Sequence, residues 1–151
     1  MTTVITAPGA LPDSGFMIFL AGAIDMGRAD EWQDKIIDML EWNDNLVLLN
    51  PRREAFTPET LDPQIRWELD ALARSDVIIM WFPKDAAAPI SFLETGLYMA
   101  SGKLVIGAEA GFYRRRNLEL TCEHYGVELW GTLGQIAEAA LKRYETETQS
   151  A

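Results

Sequence analysis

The feature that most constrains this chain is a set of short apolar runs with no polar residue inside them. Residues 16–21 and 46–49 are two such runs. Residues 76–82, opened by Asp76 and stopped by Pro83, hold a third; residues 103–107 hold a fourth; residues 126–130, interrupted by Glu128, form a shorter and weaker fifth. A strand with one face in water alternates apolar and polar side chains, whereas an unbroken run suits a strand buried on both faces. The segments between the runs have helical spacing. Residues 30–42 carry Trp32, Ile36, Ile37 and Leu40, with acids near the start; residues 63–74 carry Ile65, Leu69 and Leu72, with Pro63 suited to a first turn. Residues 91–101 carry Phe92, Leu93, Leu97 and Met99 and are followed by Gly102, a natural stop. Residues 115–125 and 132–144 read as two further helices. Strand and helix therefore alternate about five times, and right-handed crossovers turn that order into an α/β three-layer sandwich, a parallel five-stranded sheet with helices on both faces. Thr3 to Thr6 offer an additional edge strand, residues 8–15 read as a loop, and the polar tail from Glu145 is expected to fray.

A length of 151 residues fits a single domain with a substantial core. One cysteine, Cys122, and one histidine, His124, leave no disulfide framework and no multi-Cys or multi-His metal cluster, so neither a metal nor a cofactor is expected. With Lys+Arg 13 against Asp+Glu 23, the net charge of −10 disfavours binding of a nucleic-acid polymer. The longest apolar run is far short of the roughly 20 residues of a membrane helix and lacks the basic lead of a signal peptide. The expected setting is the cytoplasm, with no membrane partner.

Sheets of this kind bind ligands outside the carboxyl ends of their strands, where strand order reverses. Four segments follow the apolar runs. Gly22 and Asp25 follow the first; small residues there admit a ligand, or serve only a turn. Asn50, Pro51, Arg52 and Arg53 follow the second, and two guanidinium groups can hold a phosphate or carboxylate, or pair with local acids. After the third come Asp85 and then Ser91, Phe92, Leu93, Glu94, Thr95 and Gly96. Ser91 and Glu94 match a capping box, in which the serine caps the helix and the glutamate reaches back to the cap. The alternative is functional: a first-turn Glu94, held ionised by the helix dipole, can act as a nucleophile. Glycosyl chemistry usually needs a second acid, for which Glu68, Asp70, Asp76, Asp85 and Asp25 are candidates, Asp76 reading as structural. The fourth segment holds Arg114, Arg115, Arg116 and Asn117. Three arginines at a helix amino end oppose its dipole, which points to a ligand or subunit contact unless the helix begins later.

Taken in order and spacing, residues 19–22, the Asn50-Pro51-Arg52-Arg53 segment, Trp67-Glu68, and Ser91 through Gly96 resemble the nucleoside 2-deoxyribosyltransferase-like family, most closely its small branch with the Asn-Pro-Arg-Arg segment. The resemblance spans roughly residues 16–141. It implies a flavodoxin-like strand order 2-1-3-4-5 and cleavage or transfer at the N-glycosidic bond of a nucleoside or nucleoside 5′-monophosphate. The family's catalytic glutamate maps onto Glu94, which would attack C1′ and form a glycosyl ester. The family's second-helix acid lies eight residues before the acid opening the third strand; it maps onto Glu68 as a substrate-positioning residue. One position departs: transferases of the family carry an aspartate six residues before the nucleophile, and Ala88 stands there, so either Asp85 reaches in or the base is recognised differently. A non-catalytic nucleotide-binding module on the same fold is the competing expectation, and a redox flavoprotein is disfavoured by the lack of a Ser/Thr-rich loop after the first strand. Trp42, Trp130, Phe112 and Tyr113 near loops, together with the resemblance, imply a homo-oligomer.

Overall fold

The computed structural model describes residues 1–24, 31–52 and 57–149. Its elements, in chain order, are β1 (Thr3–Thr6), β2 (Phe16–Gly22), α1 (Trp32–Met39), β3 (Leu46–Asn50), α2 (Pro58–Arg74), β4 (Val77–Phe82), α3 (Pro89–Tyr98), β5 (Leu104–Ala108), α4 (Arg115–Tyr125), β6 (Leu129–Trp130) and α5 (Leu133–Gln149). All neighbouring strands are parallel, in the order β1-β3-β2-β4-β5-β6. The sheet has six strands rather than five. The sixth is the amino-terminal segment, laid along β3 with Thr3 opposite Val47 and Thr6 opposite Asn50. Without it, the remaining five run 2-1-3-4-5.

The unbroken apolar runs behave as their chemistry requires. Every residue of β3, β4 and β5 is buried, and the two faces feed two cores. Ile18, Leu20, Leu48 and Ile79 pack with Trp32 and Ile36 of α1 and Ile136 and Ala140 of α5. Phe19, Leu49, Met80 and Ile106 pack with Trp67 and Leu72 of α2, Met99 after α3, and Leu118 and Cys122 of α4. Asp76 is structural, as its position suggests: its Oδ2 accepts the Met17 N–H at 2.8 Å, pinning the start of β4 to β2.

Several boundaries differ from the sequence reading. Helix α2 begins a turn and a half before Pro63, which lies inside it. The start is set at Thr57, whose N–H donates to Thr60 Oγ1 at 3.1 Å, and by Pro58 in the first turn. Helix α1 is shorter than residues 30–42. The tail is helical to Gln149 rather than frayed from Glu145, because nothing in that polar stretch breaks the helix. Phe112, one of the loop aromatics read as implying assembly, is 3 % exposed; it packs against Phe82 and Phe92 in the core. Among the described residues, no helix is long and apolar enough to cross a membrane.

Candidate active site

The strand order reverses around β2, which has β3 on one side and β4 on the other. The carboxyl ends of these three strands carry Gly22, Asn50 and Phe82, and the candidate site is built there.

Helix α3 follows β4 by a short loop. It does not begin at Ser91. Its N-cap is Ala88, in the left-handed conformation at φ 55°, and Pro89 is the first helical residue. Ser91 is therefore inside the first turn, buried at 3 %, with its carbonyl accepting the Thr95 hydroxyl at 2.7 Å. Glu94 falls in the second turn. The capping box does not form, and Glu94 lies beyond the reach of the dipole, which fades within one turn. The consequence reverses the expected charge state. Glu94 is 9 % exposed, and its burial, with the nearby Glu68 carboxylate as the lesser cause, pushes its carboxyl up to about 8. Two acids are coupled here, one on α2 and one on α3, and the more buried of them holds its proton at neutral pH.

Glu68 is half-buried on α2 and accepts from the side-chain amide of Gln64, one turn earlier, at 3.3 Å. The same amide donates to the carbonyl of Pro51 at 2.8 Å, joining α2 to the end of β3. Gln64 is a site residue that the sequence reading misses, yet its signal is present: it shares the inward stripe of α2 with Trp67 and Ala71, where a polar side chain is unusual.

The Asn50 segment is explained in large part by the fold. Asn50 is buried, and its Oδ1 accepts the Arg52 N–H at 3.0 Å, closing the turn out of β3. The Arg52 guanidinium reaches Gln33 Oε1 at 3.4 Å and the carbonyl of Ile24 at 3.5 Å, bridging the ends of β3 and β2. Gly22 is required by the protein's own backbone: at φ +136°, a Cβ there would lie 2.3 Å from the Trp81 carbonyl oxygen and 2.8 Å from the Trp32 ring. Asp25 and Arg53 lie outside the described residues.

The arginine cluster divides. Arg115 and Arg116 both pair with Glu119, and Arg115 also donates to the carbonyl of Ala108. These contacts offset the unfavourable position at the amino end of α4. Arg114 is exposed over the ring of Tyr113, whose hydroxyl donates to the carbonyl of Ala87 at 3.1 Å, so this segment is held against the loop leading into α3. Asn117 and Asp85 are exposed. Ala88 is buried, at 3 % exposed, and places no carboxylate at the position of the family's aspartate. Among the described residues, no three His, Cys, Asp or Glu side chains group as metal ligands. A cavity of about 390 Å³ lies at the opposite edge of the sheet, lined by Met99, Leu104, Tyr125, Trp130 and Arg143, and contains none of these residues.

The chain matches the family described as nucleoside 2-deoxyribosyltransferase like over residues 15–112, which is 98 of its 151 residues and includes both Glu68 and Glu94. The chain belongs to this family. No curated protein matches it. Membership supports an enzyme of nucleoside glycosyl transfer in general, acting on a small-molecule nucleoside substrate.

Proposed function

We propose that the protein cleaves or transfers at the N-glycosidic bond of a nucleoside or nucleoside 5′-monophosphate, with Glu94 as the nucleophile. The observation that carries this reading is the coupled pair itself: a buried carboxyl on α3 beside a second carboxylate on α2, on the helices that follow β4 and β3. Ionised Glu94 attacks C1′; the C1′–N bond breaks, its electron pair leaves with the base, and a glycosyl-glutamate ester forms. Water or an acceptor base then attacks C1′ and regenerates the carboxylate. Glu68 positions the sugar. Arg52, Arg53, Arg114 and Asn117 are the groups proposed to meet a 5′-phosphate or the base, with Gly22, Asp25, Asn50, Asp85 and Ser91 forming the rest of the binding surface.

The charge state of Glu94 makes this testable by pH. Only the ionised form is a nucleophile, and kcat/KM reports the free enzyme. The expected profile is kcat/KM rising with pH and levelling off above about 8. A profile that falls as pH rises through that value would make Glu94 a proton donor instead and would remove the nucleophile assignment.

We further propose that the working unit is a pair of identical copies. Leu61, Ile65 and Leu69 on α2 and Ile90, Leu93 and Leu97 on α3 are 44–60 % exposed, and they border Glu68 and Glu94. Six large apolar side chains on adjacent helices are more than a monomer surface normally leaves in water. With a polar rim, they approach the ~800 Å² per partner of a standard interface. Sedimentation is expected to give about twice the 16.9 kDa chain mass, and Leu93→Glu the mass of one chain. A wild-type monomer at micromolar concentration would contradict this.

A further inference from the structure

Gln64 is 6 % exposed and lies on the buried stripe of α2 with Trp67 and Ala71, where a leucine would fill similar space. Its Nε2 group uses its two hydrogens on acceptors, the carbonyl of Pro51 and Oε1 of Glu68. The amide cannot be turned over, because its own oxygen would then face the Pro51 carbonyl. Its Oε1 consequently points away from both and has no hydrogen-bond partner among the described residues. A buried acceptor left in this way is a cost that an apolar side chain avoids. What leucine cannot supply is an N–H for Glu68.

We propose that Gln64 is a positioning residue of the site: its amide, anchored on the Pro51 carbonyl, donates to the Glu68 carboxylate and orients it. The anchor matters because Pro51 belongs to the turn closed by Asn50 and Arg52 at the end of β3, so Glu68 is referenced to the sheet and not only to its own helix. Among the described residues, the charged group shown to bear on Glu68 is Glu94 on α3. A hydrogen bond donated to a carboxylate favours its ionised form. The catalytic consequence rests on the function proposed above; the contact itself does not.

The test follows the ¹⁵N signals of the Gln64 side-chain amide and the ¹³Cδ signal of Glu68 by NMR as pH is varied. In the wild-type chain, a Gln64 amide proton is expected to shift with the same midpoint as Glu68. In Gln64→Met, which keeps the volume and removes the N–H groups, the Glu68 midpoint is expected to rise by about half a pH unit or more. Gln64 signals indifferent to the ionisation of Glu68, or an unmoved Glu68 midpoint in folded Gln64→Met, would overturn the proposal. Should that variant fail to fold, the wild-type titration decides alone. Neither signal needs turnover, so the Gln64 contact is tested even in a protein inactive on nucleosides.

Discussion

Glu94→Gln is expected to lose base release from nucleosides by on the order of 10³-fold or more, while ligand affinity stays within a few-fold of wild type. Glutamine preserves the size and buried position of the side chain but has no carboxylate to form the ester with C1′. The same substitution should act on stability in the opposite direction. A carboxyl raised from 4.5 to about 8 by burial gives stability that is full below pH 4.5 and is lost as pH rises through about 8, where the ionised form must sit in the interior. Glu94→Gln removes that loss and should be more stable than wild type above about pH 8, by on the order of a few kcal/mol. Denaturant unfolding across pH 5 to 9 would measure it. A variant that is both inactive and less stable at high pH would mean that Glu94 holds the fold together rather than serving the reaction.

Gly22→Ala should be among the most damaging single-methyl additions in the chain. The residue is at φ +136°, which L side chains rarely adopt, and the added carbon would meet the Trp81 carbonyl oxygen at 2.3 Å and its nitrogen at 2.9 Å. Both obstacles are backbone, in the neighbouring central strand, so neither can swing aside. A loss of roughly 3 kcal/mol or more is expected, which for a domain of this size lowers the melting temperature by about 10 °C. Gly96→Ala is the control: its Cβ meets nothing within 4 Å, the site is helical, and a gain of about 0.5–1 kcal/mol is expected. Equal melting temperatures for Gly22→Ala and wild type would show that the ends of β2 and β4 are not in fact packed this closely.

The strands of the sheet were legible because burial on both faces leaves a mark on composition, seen in residues 46–49 and 77–82, where no polar side chain interrupts; their order came only with the family resemblance. Helix starts were less legible. Ser91 and Glu94 satisfy a capping pattern by identity, but the chain turns earlier, at Ala88, with no side-chain cap. Pro89, whose fixed φ suits the first helical position, was the signal to weigh. Pro63 misled in the opposite sense, since a proline suited to a first turn can be carried one turn deeper when Thr57 and Thr60 already secure the start. The helices that carry Glu68 and Glu94 could be read from sequence, while the turn on which Glu94 falls and its protonation could not. The latter depends on how much of α3 is covered and on which carboxylate faces it, quantities that no local pattern records. Arg115 and Arg116 illustrate the same limit: their conflict with the helix dipole was visible, but its answer was the ordinary one, Glu119 one turn further along the same helix.

The most direct measurement is chromatographic. The wild-type chain and Glu94→Ala are incubated with a panel of nucleosides and their 5′-monophosphates, with and without a free acceptor base, and the free base and any new nucleoside are quantified. Base release by wild type that disappears in Glu94→Ala is the predicted result, and new nucleosides formed only with acceptor would mark transfer over hydrolysis. Ligand binding without turnover across the whole panel would contradict the central claim and would leave a nucleotide-binding module built on the same fold.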